Sequence, residues 1–276
     1  MLGPKAPVPR LPPARYVPVG DCSIAYFTAG PDDGAPLVLC HGLAANGLQF
    51  AVDAAYFGAR GFRVIVPDVR GHGRSTCPGA RRDADFSIPR LAADLIAILD
   101  AEGIEAADWV GNSLGGVLAL SLMGTDRPRL KRFVSFGTAY ALAVPAALAP
   151  FMQLSYRVIG REMLARLGAR MTCRDTPARA VIYAMLREID VDAVRRIAGH
   201  VGRYDLTENA LRFGGPILMI RGARDRAVNL AVAPTVANMT GLANFSLIDM
   251  AGAGHCANLD RPAAVREAML EFLTGH

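Results

Sequence analysis

Residues Trp109 to Leu120 read WVGNSLGGVLAL. A single serine, Ser113, stands between Gly111 and Gly115. An apolar, strand-like run precedes it (Ala106, Ala107, Trp109, Val110), and a small-residue, helix-like run follows (Gly116 to Leu122). Glycine and asparagine are turn residues, so one reading is a plain turn. The other is a serine on a sharp strand-to-helix bend, with its hydroxyl presented for attack. The pattern G-x-S-x-G makes the second reading testable, because it fixes which partners must lie before and after it.

A serine hydroxyl is a poor nucleophile without a base within hydrogen-bond reach. The base needs a carboxylate to hold its tautomer, and the developing oxyanion needs preset donors. The chain has five histidines. His41 and His72 precede the serine, His200 falls in a helical stretch and His276 ends the chain. His255 lies in MAGAGHCANLDRP, a glycine-rich loop between a strand and the last helix. The order serine, acid, histidine selects it, although a structural loop histidine explains that position equally well. For the acid, ILMIRGARDRAV supplies Asp225 just past the strand Pro216 to Ile220, and strand ends are where sites form in open α/β sheets. Asp205 and Asp249 are rival carboxylates. The segment FVSFGTAY, after the strand Phe133 to Phe136, has none. Two backbone N–H groups are candidate oxyanion donors: Leu114 at a helix start, and Leu43 after His41-Gly42, where glycine allows close approach of a substrate. A strand-ending turn also accounts for His41-Gly42.

Bulk properties narrow the class. The 276 residues are 52% hydrophobic, enough for a sizeable core. The net charge of +5 and pI of about 9.1 come from scattered arginines with no clustered basic patch, so nucleic-acid binding is not expected. Five cysteines show no metal spacing, and no cofactor or metal is expected. Their odd number argues against a fully paired disulfide framework and for a reducing, cytoplasmic compartment. The proline-rich start lacks the apolar core of a signal peptide and reads as a loose arm over 1–15. The most apolar segment, Ala141 to Leu154, is shorter than the ~20 residues of a membrane span and is broken by Pro145 and Pro150.

Strand and helix signals alternate. Strands are expected at Tyr16–Val19, Ser23–Thr28, Leu37–Cys40, Phe62–Pro67, Ala107–Gly111, Phe133–Phe136, Pro216–Ile220 and Phe245–Ile248. Helical spacing marks Leu91–Leu99, the segment after Ser113, and a last helix opening near Asp260 that buries Val265, Met269, Phe272 and Leu273. This pattern implies an α/β fold with a mostly parallel sheet covered on both faces. From Tyr140 to Phe213 only helices are expected, with starts at Thr176-Pro177 and Asp192. That stretch reads as an insertion between two sheet strands.

At this point the chain resembles the α/β-hydrolase family, from about Tyr16 to Leu273. The resemblance rests on HG (His41, Gly42), DVRGHGRS (Asp68 to Ser75), GNSLGG (Gly111 to Gly116), GARDRAV (Gly222 to Val228) and GHCANLDRP (Gly254 to Pro262). It implies an eight-stranded, mostly parallel sheet with helices on both faces. The core would comprise 1–139 and 214–276, with a helical cap at 140–213. It also implies Ser113 as nucleophile, Asp225 as acid and His255 as base, with DVRGHGRS an architectural loop held by its glycines and Arg70. Dehalogenases and epoxide hydrolases of this fold carry an aspartate at the elbow, where this chain has Ser113.

The expected function is therefore serine hydrolysis of a small carboxylic ester, lactones and thioesters included, by a monomer or homodimer. The alternatives are a carbon–carbon hydrolase of ring-cleavage products, a cofactor-free haloperoxidase or perhydrolase, and a non-catalytic small-ligand receptor. Candidate pocket residues are His41, Gly42, Leu142, Val144, Leu148, Phe151, Met152 and Cys256. The cap's apolar residues serve either an apolar acyl or aromatic substrate or plain packing. Cys256 either lines the pocket or fills a small apolar gap.

Overall fold

The alternation read from the sequence becomes one eight-stranded sheet. Strands β1 (Arg15–Val19) and β2 (Cys22–Ala29) form an antiparallel hairpin, followed by β3 (Ala35–Cys40), β4 (Phe62–Pro67), β5 (Ala107–Asn112) and β6 (Leu130–Phe136). The short strands β7 (Ala141–Ala143) and β8 (Arg203–Asp205) lie outside this sheet, and β9 (Ile217–Gly222) and β10 (Phe245–Met250) complete it. The spatial order is β1-β2-β4-β3-β5-β6-β9-β10. β2 runs antiparallel to both neighbours, and every pairing from β4 to β10 is parallel. The computed structural model describes residues 8–79, 82–125, 129–143, 158–173 and 175–275.

Both faces of the sheet are buried because side chains alternate across each strand. Trp109, Phe133, Ile217 and Met219 face one apolar layer. It is filled by Leu91, Leu95 and Ile98 of α2 (Ile88–Ala101) and by Leu118 and Leu122 of α3 (Leu114–Met123). Val110, Val134, Leu218 and Ile220 face the other. There they meet Phe57 of α1 (Ala51–Gly58) and Val265, Met269 and Leu273 of α10 (Pro262–Thr274). Phe272, expected among the buried residues of that helix, is only partly buried.

Between β6 and β9 the chain leaves the sheet. It forms α4 (Arg161–Thr172), α5 (Thr176–Arg187), α6 (Val191–Val201) and α7 (Thr207–Arg212); α8 (Arg226–Met239) and α9 (Ala257–Asp260) follow β9 and β10. The expectation of helices alone is corrected here. β7 and β8 pair antiparallel, Ala141 with Asp205 and Ala143 with Arg203, so the two ends of the excursion close on each other. Strands of three residues carry too little periodic signal to be read from sequence. The excursion's helix starts also shift. Asp190, not Asp192, caps α6 by accepting the N–H groups of Asp192 and Ala193. At the C-terminal end, Asp260 accepts the Gly254 N–H at 2.8 Å instead of capping the last helix, which opens after Arg261.

The DVRGHGRS loop is architectural. Asp68 accepts the N–H groups of Gly47 and Arg74, each at 2.7 Å. Arg70 forms a two-pronged pair with Asp94 of α2 at 2.6 and 2.7 Å, with both side chains buried. His41 Nε2 accepts the Val69 N–H at 3.0 Å, and His72 Nε2 accepts the Ala44 N–H at 3.1 Å. Each ring therefore donates from Nδ1, His41 to the Gly42 carbonyl and His72 to the Arg70 carbonyl. Burial pushes their pKa values down to about 3 and about 4, so both are neutral and serve as acceptors that fix the loop around Leu43.

Two expectations from the N-terminal half change. Leu11 of the supposed arm packs against the core layer that contains Phe27, and β1 begins at Arg15. Cys22 and Cys77 form a disulfide that ties β2 to the segment after DVRGHGRS, while Cys40, Cys173 and Cys256 are free and buried. An odd cysteine count says nothing about which pairs meet in space. It follows that thiol titration of the denatured, unreduced protein should find three free thiols; five would remove the disulfide. The Arg70–Asp94 pair yields a second test. Arg70→Met leaves a buried carboxylate unpaired and should cost about 3–5 kcal/mol in urea unfolding, most of it recovered by adding Asp94→Leu. Equal midpoints for wild type and Arg70→Met would show that the pair holds nothing.

Candidate active site

Ser113 ends β5 and opens α3 in a conformation side chains rarely adopt, with φ 50° and ψ −112°. Of the described residues other than glycine, only Ala44 shares its positive φ. Such backbone costs about 1–3 kcal/mol and persists only where its surroundings enforce it. The enforcement is steric. A side chain at Gly111 would collide with the backbone of Gly115 and Gly116, one at Gly115 with the Cys40 carbonyl, and one at Gly116 with Thr138. The Ser113 N–H donates to the Phe136 carbonyl at 3.1 Å, and its own carbonyl accepts the N–H groups of Gly116 and Val117, both at 3.0 Å. Trp109 Nε1 donates to the Gly115 carbonyl at 3.3 Å, which ties strand to helix a second time.

Asp225 and His255 come together from loops after β9 and β10. His255 Nδ1 lies 2.8 Å from Asp225 Oδ2. Asp225 is buried and caps α8, its Oδ1 accepting the Val228 N–H at 3.4 Å. Nδ1 therefore carries the donated proton, and Nε2 is left as the free acceptor. Burial is the largest single influence and works against the imidazolium, but the hydrogen bond to Asp225 and the charges of Cys256 and Asp225 together outweigh it. The His255 pKa is accordingly raised above the ordinary 6.5. The side chain keeps 32% of its surface exposed. Among the described residues Ser113 Oγ and His255 share no hydrogen bond. Gly137 brings them to one place: it shares a cavity wall with Ser113, and a side chain there would lie 3.0 Å from His255 Cε1. The rival carboxylates are engaged elsewhere. Asp205 accepts the Thr207 N–H, and Asp249 pairs with Arg221 at 2.5 and 2.7 Å.

A cavity of about 250 Å³ opens over Ser113. Leu43, Leu114 and Val117 line it from the core, and Leu142, Val201 and Tyr204 from the excursion. The N–H groups of Leu43 and Leu114 have no acceptor among the described residues. Of the pocket residues expected from sequence, Leu142 is in the wall, while Val144, Leu148, Phe151 and Met152 lie outside the described residues. The other three lie outside this wall. His41 is buried in the loop contacts described above. Gly42 makes room for the elbow rather than for a ligand, since a side chain there would sit 3.0 Å from Asn112 Oδ1 and 3.4 Å from Ser113 Cβ. Cys256 packs in an apolar cluster with Ala169, Cys173 and Val181, its Sγ 3.8 Å from Asn112 Oδ1. Sequence reading missed Val201, Tyr204 and Val228, because only the fold of the excursion carries the first two over Ser113.

With this geometry in place, the comparisons are specific. A profile of the α/β hydrolase fold matches residues 35–164, from β3 past the elbow and β6 to the start of α4. The 3-hydroxybutyrate-oligomer hydrolase of Cupriavidus necator is 26% identical, over 94% of this chain and 95% of that protein. Epoxide hydrolase A of Mycobacterium tuberculosis is 27% identical, over 96% and 98%. Among solved structures, a thermophilic esterase from Thermogutta terrifontis superposes with a TM-score of 0.81 at 21% identity, over 96% of this chain and 99% of that one. Eight strands in the order found, the strained serine between β5 and α3, and the match over the central segment lead to one statement: the chain has the α/β-hydrolase fold.

Proposed function

We propose that this protein is a serine hydrolase of small carboxylic esters, with Ser113 as nucleophile, His255 as base and Asp225 as its orienting acid. The observation that carries this reading is the 2.8 Å His255–Asp225 pair, joined from two loops 30 residues apart and set beside a serine held at φ 50°. The pair leaves Nε2 of His255 free to take the Ser113 proton as Oγ attacks the acyl carbon. The N–H groups of Leu43 and Leu114, otherwise unbonded, receive the oxyanion; the second also lies at the positive end of α3. Collapse expels the alcohol, which takes the proton from His255. Water activated by the same ring then releases the acid from Ser113. Asp225 holds the tautomer and stabilises the imidazolium in both steps.

The cavity supports this substrate class. Its wall is mainly aliphatic, and its volume suits a short or medium apolar acyl group in a small ester or lactone. The excursion from β7 to β8 acts as a cap, supplying Leu142, Val201 and Tyr204 to that wall. The likeness to an epoxide hydrolase does not change this reading, because the nucleophile position here carries a hydroxyl. Nothing in the site favours a receptor role.

Hydrolysis of a p-nitrophenyl ester series tests the proposal. Wild type should turn over, with an optimum at short or medium chains, and Ser113→Ala should be inactive yet fold as wild type does. A folded wild type with no turnover across the series would sink the ester reading. Asp225→Asn should lower kcat by about 10⁴-fold; a near-normal rate would free His255 of any dependence on Asp225. The pH profile has a definite sign. The base form of His255 is lost as pH falls through its raised pKa, so kcat/KM should drop on an acid limb centred above 6.5. Asp225→Asn removes the attraction that raises it and should move the limb to lower pH. A wild-type limb centred below 6.5 would contradict the assignment of the base.

A further inference from the structure

Three loops must be placed against one another for the chemistry proposed above: the loop with Leu43, the elbow with Ser113 and the loop with His255. One buried side chain bonds to parts of all three. Gln49 lies in the single helical turn Gly47–Phe50, just before α1, and is 1% exposed. Its Oε1 accepts the Gly42 N–H at 3.2 Å, one residue from Leu43. Its Nε2 donates to Asn112 Oδ1 at 2.8 Å, one residue from Ser113, and to Asn258 Oδ1 at 3.4 Å, three residues from His255. Asn112 extends the connection, with Nδ2 donating to the carbonyls of His255 at 2.9 Å and Phe136 at 3.0 Å. Asn258 returns it, with Nδ2 donating to the Gln49 carbonyl at 3.0 Å and to Asp53 at 2.7 Å. Arg266 of α10 closes the far end on Asp53 at 2.6 Å.

We infer that Gln49 is a positioning residue, a neutral clamp that sets the spacing of the oxyanion donors, the nucleophile and the base; this rests on the hydrolase reading above. Neither Gln49 nor Asn112 nor Asn258 lines the cavity over Ser113, so none touches substrate there. The role needs an amide. Asn112 must aim Nδ2 at the two carbonyls, which leaves its Oδ1 facing Gln49, and only a donor satisfies that oxygen. The Gly42 N–H at the same time requires an acceptor. A carboxamide supplies both from one group without bringing a charge beside a base. A hydrocarbon would leave the Gly42 N–H unpaired in the interior and Asn112 Oδ1 with only the weak, long contact from Cys256 Sγ at 3.8 Å, and the three loops would be free to separate. A carboxylate would keep the bond to Gly42 but set oxygen against oxygen at Asn112.

The test compares wild type, Gln49→Leu and Gln49→Glu in the full chain, by p-nitrophenyl acetate kinetics, fluorophosphonate labelling of the nucleophile and thermal unfolding. The Cys22→Ala/Cys77→Ala variant, destabilised at a site remote from the clamp, is the control and should keep its kcat. If the clamp positions, Gln49→Leu loses about 10²-fold in kcat and in labelling rate, the order expected when reacting groups shift by ~1 Å, while KM changes less than about threefold. Gln49→Glu should fall between Gln49→Leu and wild type. A folded Gln49→Leu with wild-type kcat and labelling rate overturns the inference. If Gln49→Leu does not fold, the shape-preserving Gln49→Glu decides alone: a lowered kcat supports the clamp, and a wild-type kcat overturns it. Failure of the hydrolase reading is seen separately, in a wild type that neither hydrolyses the ester nor takes the label, and it withdraws the clamp as well.

Discussion

The lack of space for side chains where β5 turns into α3 constrains everything around it. Three glycines let the first turn of α3 press against the end of β3, the backbone of β5 and Thr138 at once. That packing leaves the intervening residue no ordinary conformation, and Ser113 takes up the strain at φ 50°. The strain is an architectural product, sustained by the buried faces of the sheet and of α3. It sets the hydroxyl on the apex of the bend, beside the open end of a helix where the Leu114 N–H has no acceptor among the described residues. Gly42 and Gly137 apply the same device to neighbouring loops, letting one backbone approach the elbow and another approach the ring of His255.

The polar interior works by opposite treatments of like groups. His41 and His72 are buried, and desolvation outweighs the attraction of Asp190 on His72, so they stay neutral and act as hydrogen-bond acceptors for backbone. His255 has Asp225, and its proton affinity rises instead. One residue type thus serves as mortar in two places and as the proposed base in a third, with the partner deciding which. The amides of Gln49, Asn112 and Asn258 make up the neutral part of this interior. They bond the loops together without introducing a charge that would disturb the base.

Burial also explains where sequence reading erred over pocket residues. His41, Gly42 and Cys256 sit next to the right residues in the chain, and adjacency made them candidates. Along a tight loop, however, neighbouring side chains point in different directions. His41 turns to Val69, and Cys256 turns into a cluster with Cys173. The cavity wall instead adds Val201 and Tyr204 from the excursion and Val228 from α8, brought to Ser113 only by the path of the chain.

The sequence by itself determined the fold class, all eight strands of the sheet, the bend at Ser113 and the candidates Asp225 and His255. Each rests on local pattern: apolar runs for buried strands, glycines where a side chain cannot fit, and the order of chemical groups along the chain. Only the tertiary structure decided the Cys22–Cys77 pairing, the β7–β8 closure of the excursion, the seat of Leu11 and the clamp around Gln49. These depend on contacts between residues distant in the chain, and no local periodicity encodes which distant groups will meet. Gln49 makes the point most clearly. Within GLQF it is an unremarkable polar residue, and its function follows from the three loops that the folded sheet brings within reach of one amide.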